Sequence, residues 1–97
     1  MKFQWDPAKA AKNIRKHGIS FDEAVTVFKD PLAFIFDDME HSKDEHREII
    51  IGTSALSKML LVCFVERHQN IIRIISARPA TRREKQDYEE NIRNQNP

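Results

Sequence analysis

The stretch REIIIGTSALSKMLLVCFVERHQNIIRIISA, from Arg47 to Ala77, decides the fold. It holds three apolar runs parted by short polar breaks. Arg47–Thr53 carries Ile49, Ile50 and Ile51 in a row, and Lys58–Arg67 is almost continuously apolar. Ile71–Ala77 completes the set. Branched and aromatic residues suit a pleated, packed surface, so each run predicts a strand. The breaks Ser54–Ser57 and His68-Gln69-Asn70 have hairpin length, which predicts an antiparallel meander. Ala33–Asp37 is a further short strand.

Working outward, the N-terminal segment reads as a strand and two helices. Phe3 and Trp5 share a face if Lys2–Trp5 is extended. Asp6 followed by Pro7 is a helix start, and Gly18 after His17 is a stop. Between them Ala8, Ala11 and Ile14 form a thin apolar stripe, expected to face the core. Ser20-x-x-Glu23 is a capping box. The helix behind it shows Phe21, Ala24, Val25 and Phe28 at core spacing and ends at Asp30-Pro31. At the other end Thr81-x-x-Glu84 is a second capping box. It opens a helix running to about Arg93, after which Asn94 to Pro97 is expected to fray. The fold class is therefore α+β, with order β-α-α-β-β-β-β-α. Two N-terminal helices and one C-terminal helix pack on a mostly antiparallel, twisted sheet of four to five strands.

The chain has 97 residues, 40% of them hydrophobic and 32% charged. That length fits one domain over 1–97 and one modest core. The single Cys63 excludes an internal disulfide framework and suits a reducing cytosol. The longest apolar run, Met59–Val65, is far short of the roughly 20 residues of a spanning helix. The N-terminus lacks the apolar stretch of a signal peptide. A cytoplasmic protein without membrane attachment is expected.

Net charge is only +1, which argues against indiscriminate polycation binding. Its distribution is uneven. Residues 1–18 carry +4, residues 37–48 carry −4, and residues 71–85 carry +4. The last group, with Arg73, Arg78, Arg82, Arg83 and Lys85, lies beside a helix N-terminus and is either a phosphate site or a solvated surface.

Candidate chemistry follows from residue types. Arg78 at a strand end is placed to clamp a phosphate, or to pair with Glu84 or Asp87. Glu84 and Tyr88, four apart on one helix, suit a base and a hydroxyl donor, or a cap and a core aromatic. Lys16 and His17 close the first helix, where His17 moves a proton or stabilises the helix dipole. His41 and His46 lie among Asp37, Asp38, Asp44 and Glu45 but lack metal-site spacing, so no metal or other cofactor is expected. No Gly-rich phosphate loop and no nucleophile elbow occur. Cys63 lies mid-strand, a poor place for a nucleophile. The equipment left is that of a metal-independent ribonuclease, in which the 2′-OH of the substrate attacks its own phosphate.

The chain also resembles the BrnT family of type II toxins, RelE-like ribonucleases paired with a BrnA antitoxin. The matching pieces are Phe3-x-Trp5-Asp6-Pro7, Asn13-x-x-Lys16-His17-Gly18, Phe21-x-Glu23-Ala24-x-x-Val27-Phe28-x-Asp30, Glu45-x-Arg47, Gly52-x-Ser54 and Arg73-Ile74-Ile75-Ser76-Ala77-Arg78-x-Ala80. The resemblance implies a RelE-like fold and RNA cleavage that halts translation. It implies a hetero-oligomer with a BrnA-like ribbon-helix-helix antitoxin, which contacts operator DNA on behalf of the pair. It implies a catalytic set of Lys16, His17, Arg47, Arg78, Glu84 and Tyr88. Arg47 and Arg78 would bear phosphate charge, Glu84 or His17 would be the base, and Lys16 or Tyr88 the donor. Lys12, Arg73, Arg82 and Arg83 would hold RNA. The acidic stretch Asp37–Glu48 exceeds the family pattern and is expected either to meet the antitoxin or to shield the cleft. The competing readings are a non-catalytic module acting only through its protein partner and, more weakly, a metal-dependent nuclease.

Overall fold

Alternation along the central strands builds a sheet with two unlike faces. The computed structural model describes residues 1–95. Strands β1 (Lys2–Gln4), β2 (Phe34–Asp37), β3 (Glu48–Thr53), β4 (Met59–Arg67) and β5 (Ile71–Pro79) form one sheet in the order β1-β5-β4-β3-β2. The meander β3-β4-β5 is antiparallel, β2 adds antiparallel to β3, and β1 joins β5 in parallel. Helices α1 (Pro7–His17) and α2 (Phe21–Thr26) precede β2, and α3 (Arg82–Gln95) follows β5. The expected α+β architecture is present, with five strands. Residues 96–97 of the tail expected to fray lie outside the described residues, while 94 and 95 belong to α3.

The helix ends form as their caps dictate. Asp6 Oδ1 accepts from the Ala8 N–H at 2.8 Å, and Gly18 takes the left-handed conformation (φ 71°) that ends α1. Ser20 Oγ accepts from the Glu23 N–H at 3.0 Å. At α3 the box is reciprocal: Thr81 Oγ1 accepts from the Glu84 N–H at 3.2 Å, and Glu84 Oε1 accepts from the Thr81 N–H at 2.8 Å.

The main core lies between the sheet and α1/α2. It joins Ile19, Phe21, Ala24 and Val27 to Ile50, Leu60, Val62, Phe64, Ile72, Ile74 and Ala77. A smaller cluster on the opposite face joins Ile51 and Leu61 to Ala80 and Tyr88 under α3. The stripe expected to bury α1 is turned outward. Ala8 and Ala11 are exposed and Ile14 is 51% exposed, while Ala10, Asn13 and His17 face the protein. The reason is polar. Asn13 Nδ2 donates to the carbonyls of Ala77 (2.8 Å) and Ile19 (2.9 Å), and its Oδ1 accepts from the Ala77 N–H at 3.1 Å. β1 pairs only Ile71–Arg73, so Asn13 serves Ala77 as a missing strand partner would.

Gly52 lets β3 pass close to the turn after α2, since a Cβ there would sit 2.7 Å from Ala33 Cβ and 3.0 Å from Asp30 Oδ2. That approach makes Asp30 a hub. Its carboxylate accepts from the N–H of Leu32 (2.9 Å), the N–H of Thr53 (2.8 Å) and the Tyr88 hydroxyl (2.9 Å). Burial pushes this carboxyl up, but those donors outweigh it and hold the group below the ordinary range.

Candidate active site

One irregularity sets up the site. Along β5, Ile72 and Ile74 point to the main core, so strict alternation would bury Ser76 and Arg78 as well. A bulge intervenes: Phe64 pairs with Ile74, but Cys63 pairs with Ser76, leaving Ile75 as the extra residue. The phase of β5 reverses there. Ala77 takes the core side, and Ser76 and Arg78 emerge on the opposite face.

Two side-chain rows then cross that face. One is Phe34, Ile51, Leu61, Arg78 and the other is Phe36, Ile49, Cys63, Ser76. α3 covers only part of the first row. A cleft of about 310 Å³ lies over the rest, with Arg47, Cys63, Ile75, Ser76 and Arg78 in its walls and Asp38, Glu40 and His41 along one side. Around the bulged edge of β5 lies a second cleft of about 220 Å³, formed by Lys9, Lys12, Asn13, Lys16 and His17 of α1 with Ile75 and Ser76. Ile75 and Ser76 line both, so one surface runs from the α1 cations to the two arginines.

Four of the six residues in the expected catalytic set line this surface: Lys16 and His17 on one side, Arg47 and Arg78 on the other. Lys12, expected to hold RNA, lies with the first pair. Glu84 reaches the site through Arg78. The guanidinium Nη1 and Nη2 donate to Glu84 Oε1 and Oε2, both at 2.8 Å, a bidentate pair. The Arg78 bond is the largest influence on Glu84, holding its carboxyl down at about 2. The same bond raises the guanidinium's affinity for its proton. A carboxylate with so little affinity for protons suits a general base poorly, and both of its oxygens face the Arg78 guanidinium.

Tyr88 is elsewhere. It is 6% exposed, packed in the α3 cluster, and its hydroxyl is spent on Asp30. Burial first, and that bond second, raise its pKa. Tyr88 was expected in the catalytic set; its hydroxyl already donates to Asp30, and it lines neither cleft. Of the remaining residues expected to hold RNA, Arg82 and Arg83 are exposed on the first turn of α3, and Arg83 lies 3.7 Å from Asp87. Arg73 is half-buried on β5 beside β1, and neither cleft includes these three.

The acidic segment is ordered by its own bonds. The Asp38 N–H donates to the Arg47 carbonyl at 2.9 Å, Asp38 pairs with His41 at 3.0 Å, and Asp37 pairs with His46 at 2.7 Å. The Asp37 bond raises the pKa of His46. Cys63 faces Asp38 at 3.7 Å, and burial with that neighbouring charge pushes its thiol up to about 11. It is not a nucleophile at neutral pH. Among the described residues, no three His, Cys, Asp or Glu side chains converge as a metal site, and no helix is long and apolar enough to cross a membrane.

Asn13 and Ser76 stand in the family-like motifs, but the sequence reading gave neither a part in building the site. The signal for Asn13 was a lone amide on the helix face that carries Ala10 and His17. For Ser76 strand alternation gave none, since its exposure depends on the bulge.

Comparison with known proteins supplies the remaining evidence. No curated protein matches the chain. The chain resembles the crystal structure of the Brucella abortus ribonuclease toxin BrnT with 27% sequence identity and a TM-score of 0.65, over 84% of this chain and 99% of that one. A family model described as the ribonuclease toxin, BrnT, of type II toxin-antitoxin system matches residues 5–84. That span takes in α1, the whole meander and Arg78 with its partner Glu84, and the chain belongs to the BrnT family of type II toxin–antitoxin ribonuclease toxins.

Proposed function

We propose that residues 1–97 form one toxin domain that cleaves RNA without a metal ion, at the surface joining the two clefts. The observation that carries this reading is the convergence of Lys16, His17, Arg47 and Arg78 on Ile75 and Ser76. The RNA 2′-OH attacks the adjacent phosphorus. The 2′-O–P bond forms, the P–O5′ bond breaks, and the products are a 2′,3′-cyclic phosphate and a 5′-hydroxyl. Arg47 and Arg78 stabilise the charge that builds on the phosphoryl oxygens. Arg78 spends three N–H groups on Pro79 and Glu84, and its Nε–H and one Nη2–H remain for phosphate. His17 accepts the 2′-OH proton, and Lys16 donates to the leaving 5′-oxygen. Lys12 guides the RNA backbone electrostatically.

A ribonuclease that halts translation acts where messenger RNA is read, which places this one in the cytoplasm. Its inhibitor is a BrnA-like antitoxin with a ribbon-helix-helix domain. The two form a hetero-oligomer that reaches operator DNA through the antitoxin and represses its own operon. The test is incubation of the purified, folded chain with a defined RNA in EDTA. Fragments ending in 2′,3′-cyclic phosphate are expected. Intact RNA would overturn the enzymatic reading in favour of a binding module, and cleavage restored only by added metal would overturn the mechanism.

A further inference from the structure

Next to the cleft, under the N-terminal half of α3, lies an apolar hollow of about 230 Å³ that the catalytic reading leaves unused. Its floor is the row Phe34, Ile51, Leu61, and its wall is Phe36, which is 42% exposed. Phe34 is itself backed by Tyr88, with ring centroids 6.3 Å apart and the planes stacked. The rim toward α3 is made by two carboxylates, Glu84 and Asp87.

We infer that this hollow is a nucleobase subsite of the RNA-cleaving site, with a preference for guanine. The inference rests on the ribonuclease reading, and three observations carry it. The first is continuity: Leu61 lines both the hollow and the arginine cleft, and its direct cross-strand partner is Arg78. The backbone of the floor thus lies one strand spacing, about 4.8 Å, from that of Arg78. A base lies one sugar away from its phosphate, so a phosphate at Arg78 delivers its neighbouring base to Ile51 and Leu61. The second is aromatic surface. Unpaired RNA bases are held by stacking on exposed rings, and Phe36 offers such a face beside Phe34, 5.8 Å away between centroids. The third is charge. The ionic groups on the rim are both carboxylates, which repel a phosphate and accept N–H donors. Glu84 is already neutralised by Arg78 at 2.8 Å, whereas Asp87 keeps a looser 3.7 Å contact with the exposed Arg83, so Asp87 is the carboxylate for which a base competes. Guanine presents two N–H donors side by side on its Watson–Crick edge, the best match to a carboxylate.

The test maps cleavage of a mixed-sequence RNA by the wild-type chain and by Phe36→Ala, Phe36→Trp and Asp87→Asn, with folding checked by circular dichroism. Phe36→Ala is expected to raise KM about tenfold while kcat holds, as loss of one stacking contact would. Phe36→Trp restores the wild-type KM, and Asp87→Asn lowers the preference for guanine about tenfold. In parallel, guanosine 5′-monophosphate is titrated against the folded protein, and amide NMR shifts are expected at Phe34, Phe36 and Ile51. A wild-type chain that cleaves, with Phe36→Ala matching it in sites and KM, overturns the subsite and leaves the ribonuclease reading intact. If the wild-type chain cleaves nothing, the ribonuclease reading fails and the titration alone decides the subsite. Shifts confined to the α1 cleft would overturn it. A Phe36→Ala variant that cleaves normally but escapes its antitoxin would make the hollow a protein-docking surface and overturn it too.

Discussion

The two faces of the sheet are built from alternate residues of the same strands, yet they do different work. On one face Ile50, Val62 and Ala77 make a row sealed beneath α1 and α2. On the other, a single helix covers Ile51 and Leu61 and leaves Cys63, Ser76, Arg47 and Arg78 lining an open cleft. Dry packing on the first face holds the strands in register. That register lets the second face carry charge and polar groups at fixed spacing. A domain this small buries a modest fraction of its surface, and here most of that burial falls on the first face. Burying one face and exposing the other separates stability from chemistry within one sheet.

Substitutions on the two faces should differ in what they damage. The largest effect is expected from Phe21→Ala, since Phe21 is 2% exposed at the centre of the sealed face. It should cost about 3–5 kcal/mol in chemical denaturation, whereas Phe36→Ala on the open face should leave stability nearly unchanged. Equal losses would collapse the distinction. Arg78→Ala is the converse case. Cleavage is expected to fall about 10²–10³-fold with the fold retained, and a folded variant that keeps full activity would remove Arg78 from the mechanism.

Asn13→Ala tests the joint between the faces. It strands the Ala77 amide and two carbonyls and should cost about 2 kcal/mol. Because α1 carries Lys16 and His17, activity should fall further than the folded fraction does; parallel losses would limit Asn13 to stability. Tyr88→Phe deletes one hydroxyl from Asp30 and should cost about 1 kcal/mol, with the cleavage rate retained per folded molecule. A large loss of rate would give the Tyr88 hydroxyl a part in catalysis.

The smallest effect is a response to acid. Glu84 titrates at about 2 in the folded protein against an ordinary 4.5. A lowered carboxylate stabilises the folded form above its unfolded pKa, and that contribution disappears as pH falls from about 4.5 toward 2. Because the pair is partly exposed, the loss should be about 1 kcal/mol. Glu84→Gln should remove that portion of the pH dependence; an unchanged acid profile would show that the pair adds nothing.

Local signals read well in this sequence. Asp6-Pro7, Gly18, Ser20 and Thr81-x-x-Glu84 act within a turn of themselves, so caps and helix starts were legible. So were the strands, because runs such as Ile49-Ile50-Ile51 fit little else. The stripe Ala8, Ala11, Ile14 misled because side-chain apolarity ignores the backbone groups of a distant strand. Those groups at Ala77, together with the carbonyl of Ile19 just past the helix end, drew Asn13 inward instead. Lys16, His17, Arg47 and Arg78 were legible as residue types, while the partners of Tyr88 and Glu84, Asp30 and Arg78, were not. Both lie on one helix face, and only the placement of α3 tells which partner each meets.

The order of elements, the meander and the separation of charge into basic, acidic and basic segments are properties of the linear chain. These depend on short-range periodicity and on counting. The tertiary structure alone decided which face would be sealed and where the cations would meet. The single extra residue, Ile75, reverses the phase of β5 and turns Arg78 from the core into the cleft. Such a bulge arises from matching two strands against one core, a constraint that neither strand carries alone.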